Sequence, residues 1–349
     1  MKNYKIVGCI LCGLFLIFLP TYASGFSQPD EGFGKSYILF PVVASVQNSD
    51  TAYGLLYLSE QLSVGVLYSD NGYRMYFVNE RSYLNDDLFF VSFSALYKKG
   101  TNTFYGIGNE DYDMLGEDYT GESSQFGGSF LVELCDGLYF GPVISAACFS
   151  VSDKETNGQL AQDTIIGGNG TDAVGIGLQL MNDQRDDPSF PTEGSLLDIR
   201  TIFYNPDYGS DQKFSQSSAT YSKFIPIGRR GVLSFQGRII YSHGDDIPFQ
   251  MLPSLGDMNI MRGITVNKDI NCDLVAVASD YRFHIYQSLT AGIFGAWGDV
   301  ASSFHEIQMD KFAGGFELRY NFMGPFKIYY IRGFSNDDVV SYFGVNAGF

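Results

Sequence analysis

From Phe312 to Phe322 the chain alternates with a period of two. Phe312, Gly314, Phe316, Leu318, Tyr320 and Phe322 share one parity, and Ala313, Gly315, Glu317, Arg319 and Asn321 the other. Successive side chains of a strand point to opposite faces, so this segment reads as a strand that is greasy on one side and wet on the other. Leu233, Phe235, Ile239 and Tyr241 alternate in the same way with Ser234, Gln236, Arg238 and Ser242, and Leu197, Ile199 and Phe203 with Asp198 and Arg200. A soluble sandwich shows the same period, so the period alone does not choose the solvent. Length does: these segments run about ten residues, which exceeds the usual globular strand and matches a tilted strand crossing a bilayer. Their apolar faces draw on 30 Phe and 24 Tyr among 349 residues, as aromatic girdles at a lipid interface require. The expected fold is therefore all-β, a transmembrane antiparallel β-barrel, because only a closed sheet satisfies its backbone in lipid.

The chain start supplies the route to such a membrane. Lys2 and Lys5 precede an apolar run from Ile6 to Leu19, followed by Pro20 and small residues at Ala23, Ser24 and Gly25. That run is shorter than the roughly 20 residues of a spanning helix, so 1–23 reads as a cleaved signal peptide. Ile6-Val7-Gly8-Cys9 comes too early in the apolar run to be a lipidation box. Residues 24–35 are expected to form a short periplasmic segment and 36–349 the barrel. About 16 strands fit that length, an even number that returns both termini to the periplasm. Tyr53 to Phe77 divides into strands in more than one way, and the acidic stretches Asn109–Ser123 and Ser152–Asp163 read as long surface loops.

Charge and reactive residues exclude several classes. With 22 Lys and Arg against 39 Asp and Glu, the net charge is −17, and no basic patch for nucleic acid is available. Removal of the signal leaves Cys135, Cys148 and Cys272, an odd number with no zinc spacing, so buried or lipid-facing thiols are expected. His243, His284 and His305 are the only histidines, no G-x-S-x-G elbow occurs, and the acidic loops lack EF-hand spacing. No catalytic residue, metal or cofactor is expected.

Four segments carry a more specific signal. The first is Asp183-Gln184-Arg185-Asp186-Asp187-Pro188-Ser189-Phe190-Pro191-Thr192-Glu193-Gly194. Leu255-Gly256-Asp257-Met258-Asn259-Ile260-Met261-Arg262-Gly263-Ile264, Asp280-Tyr281-Arg282-Phe283 and Phe294-Gly295-Ala296-Trp297-Gly298 follow. On these motifs the chain, densely from Thr171 onward, resembles the barrel domain of the bacterial surface antigen family, the BamA/TamA superfamily of outer-membrane assembly and secretion proteins. The first segment looks like the family's "DxRD…FPTxG" hairpin turn, carried here by Asp183, Arg185, Asp186, Pro191 and Gly194. The second resembles the loop that folds back into the lumen and ends in "VRGF", with Gly256, Arg262 and Gly263 at its key positions. The third is similar to "EYRF", with Asp280 in place of Glu. The fourth stands where the family has "FxDxG", with Phe294 and Gly298 present and Ala296 at the acidic position. In the family the loop arginine meets acidic and aromatic side chains on neighbouring strands. Since an unpaired lumenal guanidinium is costly, Asp280 is the expected partner of Arg262. Arg332 in Ile331-Arg332-Gly333-Phe334 spells the arginine motif more closely, but chain order favours Arg262. Phe104-Tyr105-Gly106-Ile107-Gly108-Asn109 and Phe40-Pro41-Val42-Val43 are weaker matches. At the C-terminus, Phe343, Val345, Ala347 and Phe349 alternate with Tyr342, Gly344, Asn346 and Gly348, which resembles the β-signal read during barrel assembly.

The resemblance implies an outer-membrane barrel that assists insertion of protein or lipid into the membrane or its passage across it. Its partners would be outer-membrane lipids, the barrel assembly machinery during biogenesis, and a client protein or lipid. Too few residues precede the barrel for the POTRA domains that BamA and TamA relatives carry, so a stand-alone barrel is expected. The alternative is a passive solute channel or a surface antigen or adhesion barrel, in which Glu317, Arg319, Asp198 and Arg200 tune lumenal selectivity.

Overall fold

A computed structural model describes residues 37–45, 51–59, 61–108, 116–162, 164–188, 190–286, 288–323, 326–336 and 338–346. The segments 1–23 and 24–35, and the terminal Phe349, lie outside the described residues. Sixteen strands form one antiparallel sheet in which every strand pairs with its neighbours in sequence. The first eight are β1 (Tyr37–Ser45), β2 (Thr51–Ser59), β3 (Leu62–Tyr68), β4 (Arg74–Leu84), β5 (Phe89–Phe104), β6 (Glu117–Cys135), β7 (Leu138–Ser152) and β8 (Gly170–Asp183). The rest are β9 (Gly194–Tyr204), β10 (Phe214–Ile227), β11 (Gly231–His243), β12 (Asp273–Tyr286), β13 (Leu289–Ala301), β14 (Lys311–Met323), β15 (Phe326–Ser335) and β16 (Val339–Asn346). No helix among the described residues is long and apolar enough to cross a membrane.

The alternation in the sequence becomes an inside and an outside. On β11 the row Phe235, Ile239 and Tyr241 is exposed, while Ser234 and Ser242 are buried; on β14 Phe316, Leu318 and Tyr320 are exposed, while Ala313 and Glu317 are buried. The exposed large hydrophobic residues therefore form the outer coat, the reverse of a soluble domain. Cross-strand aromatic pairs such as Trp297 with Phe312 and Phe89 with Phe130 lie on it. The wall curls until distant strands share one lumen: residues of β4, β8, β9 and β15 line a single cavity.

The two ends differ. Hairpins at the end carrying the chain termini are short, apart from residues 184–193 between β8 and β9, whereas the far end bears the longer loops 153–169 and 244–272. The ambiguous stretch after Tyr53 resolves into the end of β2, β3 and the start of β4. Two expectations need correction. Of the stretch Asn109–Ser123, residues 109–115 lie outside the described residues, and Glu117–Ser123 is not loop but the first part of β6, because its residues continue the ladder with β5 up to Phe104↔Glu117. The middle strands also exceed ten residues: β5, β6 and β7 have 16, 19 and 15. Their surplus length carries hydrogen-bonded wall beyond the bilayer, since about ten residues already span it. None of the three thiols is fully buried: Cys135 is exposed at the end of β6, and Cys148 and Cys272 are half-buried.

An outward position should reject charge. Ile239→Arg is expected to destabilise the barrel by about 2–4 kcal/mol in urea titrations from lipid vesicles. A change near zero would mean that this face does not meet lipid.

Candidate functional site

The loop 244–272 between β11 and β12 folds inward instead of standing out from the far end. Its apolar residues explain why: Leu255, Ile260, Met261 and Ile264 are buried against Leu274, Ala276 and Ala278 of β12, Ala296 and Val300 of β13 and Ala313 of β14. The wall beneath the loop is built from small side chains, which lets the loop lie close. A Cβ on Gly298 would sit 2.8 Å from Leu255 Cδ1, and one on Gly263 would sit 2.7 Å from the Phe334 carbonyl oxygen. A second cluster holds the start of the loop, with Phe249 edge-on to Phe104 at 5.0 Å between ring centroids and the Gly108 N–H donating to the Ile270 carbonyl at 2.8 Å.

The loop tip is shaped by one side chain. Asp257 Oδ1 accepts from the backbone N–H groups of Asn259, Ile260 and Met261 at 3.0, 2.6 and 3.1 Å. Its other oxygen takes Arg238 Nη1 of β11 at 2.5 Å. A short acidic side chain closing a turn on its own following amides is ordinary Asx chemistry. Gly256 opens this turn, where a Cβ would lie 2.5 Å from the Thr265 carbonyl oxygen.

Arg262 follows directly and is buried. Its Nη2 donates to Asp280 of β12, its Nη1 donates to Glu317 Oε2 of β14 at 3.1 Å, and its guanidinium carbon lies 4.2 Å from the centre of the Phe294 ring of β13. Glu317 also accepts from Arg319 Nη2 at 3.0 Å. One loop cation thus ties three wall strands. The structure brings together Gly256, Arg262, Gly263, Asp280, Phe294 and Gly298. The acid that Ala296 lacks is supplied one strand further on by Glu317. Ala296 itself is fully covered by the loop, so a carboxylate there would compete with the apolar contact. The rival Arg332 faces outward from β15, opposite Ser341 of β16, and takes no part.

The hairpin 184–193 is a second inward element, entering from the opposite end. Arg185 grips Asp183 through Nε–Oδ1 at 2.8 Å and Nη2–Oδ2 at 2.7 Å, and Tyr83 of β4 donates to the same carboxylate at 3.2 Å. Asp186 accepts from the Thr192 N–H at 2.9 Å, the Thr192 hydroxyl at 2.5 Å and the Glu193 N–H at 3.1 Å. Gly194 closes the turn with φ of 98°, a conformation that favours glycine. Beyond these, the tip reaches across the lumen: the Pro191 carbonyl accepts from Arg282 Nη2 of β12 at 2.6 Å. The Phe190 ring lies 4.5 Å from the Arg282 guanidinium and 3.8 Å from Lys327 Nζ of β15. Sequence reasoning missed this crossing, and also Asp257 and Arg238. The Asx turn was legible at Asp257; the partners of Phe190 were not, since they lie about 90 residues or more away along the chain.

Tyr342 and Gly344 of the C-terminal motif lie on β16, where Gly344 pairs with Tyr329 of β15, while Phe343 is strongly exposed on the outer face. Among the described residues no group of three or more His, Cys, Asp or Glu side chains could hold a metal ion.

These features define a transmembrane β-barrel whose lumen is occupied by one loop and one hairpin. Residues 57–269, more than half of the chain, match the Omp85 superfamily domain, and the protein belongs to that superfamily of bacterial outer-membrane barrels. Among solved structures, it is similar to BamA from Haemophilus ducreyi lacking POTRA domains 1–3, at 13% identity and a TM-score of 0.58, over 90% of this chain and 70% of that one. It is also similar to CdiB from Acinetobacter baumannii, at 12% identity and a TM-score of 0.51, over 89% of this chain and 65% of that one. No curated protein matches the chain.

Removing one partner of a buried ion pair leaves the other unpaired, so Arg262→Ala is expected to cost about 3–5 kcal/mol of stability in urea titration, against little change for Arg332→Ala. Equal losses in the two variants would refute the lumenal role of Arg262. A second expectation concerns the hairpin. Burial tends to raise the Asp186 carboxyl, but its hydrogen bonds from Thr192 and Glu193 outweigh this and hold it below the usual range. Its contribution is complete above the unfolded value of about 4 and is lost as pH falls through the lower folded value. The Thr192 and Glu193 amides should therefore lose hydrogen-exchange protection, corrected for intrinsic rate, only in acid below that range, and a loss near neutral pH would contradict the arrangement.

Proposed function

We propose that this barrel assists insertion of protein or lipid into the outer membrane, or its passage across it, by holding part of its wall rigid while another part opens, with no chemical step. The observation that carries this reading is the lock of Arg262 on Asp280 and Glu317. It fastens the loop to β12 and β14, and Gly263 packs against Phe334 of β15, so those strands are braced from within. The ends of the sheet lack such length. β1, β2, β3 and β16 have 9, 9, 7 and 8 residues, against 19 in β6. Short strands have fewer backbone bonds to separate, and an open strand edge is a template for an incoming strand. The partners this implies are outer-membrane lipids, the barrel assembly machinery during its own biogenesis, and a client protein or lipid. Residues 1–23 would serve as the cleaved export signal.

The passive-channel reading is less well supported, because the loop and the hairpin enter the lumen from opposite ends. Glu317 and Arg319, and likewise Asp198 and Arg200, hold each other rather than standing free along an open pore.

The test is the folding rate of an unfolded client barrel added to vesicles with and without the reconstituted protein. The protein is expected to speed client folding, and Arg262→Ala to reduce the gain several-fold. A rate equal to that in empty vesicles would end this reading. A large, steady conductance in planar bilayers, unchanged by Arg262→Ala or Asp280→Ala, would replace it with the passive channel.

A further inference from the structure

At the far end of the barrel, one acidic side chain joins the inward loop to the last hairpin of the sheet. β15 ends at Ser335 and β16 begins at Val339, so Asp338 is the last residue of the turn between them. It reaches the loop with both carboxylate oxygens: Oδ2 accepts from the Thr265 N–H at 3.1 Å, and Oδ1 from Lys268 Nζ at 3.0 Å. The turn holds this carboxylate in place, because the Ser335 N–H donates to the Asp338 carbonyl at 2.9 Å and the Asp338 N–H donates to Ser335 Oγ at 3.1 Å. The Lys268 and Asp338 side chains are 29% and 14% exposed, which shields the pair more than an ordinary surface bridge.

Two neighbouring contacts bring the loop against the same hairpin. Gly333 of β15 meets the loop backbone, since a Cβ there would lie 2.7 Å from Gly263 Cα. That approach needs a glycine on each side and supplies no polar bond. On β16, Tyr342 points inward within electrostatic reach of Asp257 and Arg262, but its hydroxyl is buried with no hydrogen-bond partner among the described residues. The last strand itself thus has little hold on the loop, and the polar link falls to Asp338.

We propose that Asp338 is a positioning residue that straps the β15–β16 hairpin to the lumenal loop and so sets how readily the last strand leaves its place in the wall. A carboxylate that accepts from a backbone N–H and from an ammonium makes two charge-assisted bonds, each stronger than a neutral one. Arg262 fastens the loop to β12 and β14 three residues before Thr265, so the strap passes that rigidity to the end of the sheet. β16 has only 8 residues, and its ladder with β15 runs from Lys327↔Asn346 to Phe334↔Val339. A ladder that short opens easily unless something else holds it. The bearing of the strap on client folding rests on the function proposed above, while the strap itself stands on the geometry.

Hydrogen exchange of the refolded full chain in lipid vesicles, read by mass spectrometry, tests the strap. Asp338→Ala is expected to speed exchange of the β16 amides about tenfold, and Asp338→Asn and Lys268→Met, which both keep an acceptor for the Thr265 N–H, about threefold. Exchange in β12 and β14 should change less than about twofold, because Arg262 still holds them. Lys268→Glu combined with Asp338→Lys should recover part of the protection that Asp338→Lys alone removes. Where Asp338→Ala fails to fold, Asp338→Asn and Lys268→Met decide by the same amides. Unchanged β16 exchange in the folded variants would overturn the proposal, and so would an equal rise in β12, β14 and β16, which is general loosening of the wall. Client folding measured in the same vesicles keeps the two readings apart. Faster β16 exchange in Asp338→Ala sustains the strap even where the wild type gives no gain in client folding, and unchanged exchange overturns it even where that gain is present.

Discussion

Backbone polar groups in a bilayer have no water to bond, and the rest of this structure follows from that constraint. A strand in lipid must have its backbone paired within the chain, and here sixteen strands pair in sequence order in one antiparallel sheet. Tight hairpins then suffice for most connections. The same constraint sends greasy side chains such as Phe235 and Ile239 outward, and it leaves the polar parity of every strand facing a lumen that has to be filled.

Filling that lumen is a problem of charge as much as of volume. Arg262 enters on a loop whose apolar residues rest on an Ala- and Gly-rich patch of wall, and two carboxylates on separate strands receive it. The hairpin 184–193 enters from the other end and is received by the opposite chemistry: Arg282 and Lys327 lie against its Phe190 ring, and Arg282 bonds its Pro191 carbonyl. An acidic pair in the wall thus holds a loop arginine, and cations of the wall hold an aromatic ring of the hairpin. Together they connect β4 and β8 on one side with β12, β14 and β15 on the other, so the interior ties strands that the backbone ladder leaves far apart.

Much of the fold was legible in the sequence because a period of two is a local property. The face that Phe316, Leu318 and Tyr320 share needs no knowledge of any partner, and neither does the turn set by Asp186 and Gly194. Strand ends were less legible: Glu117–Ser123 looks like acidic loop, yet its pairing with β5 makes it wall. The site was legible at Arg262, Gly263 and Asp280, where the motif resemblance pointed. Glu317 stood in view as a lumenal charge, but nothing local joined it to Arg262, 55 residues earlier.

By itself the sequence determined the parity of the strands, their approximate number, their solvent, and the candidate loop arginine, since each depends on residues within about a dozen positions of one another. Only the tertiary structure decided which carboxylates meet Arg262, how the loop comes to cover Ala296, and how Arg282 and Lys327 come to lie against Phe190. Curling of the sheet sets residues of β4, β9 and β15 around one cavity, and the electrostatics of a lumen depend on distances across it that no spacing along the chain encodes.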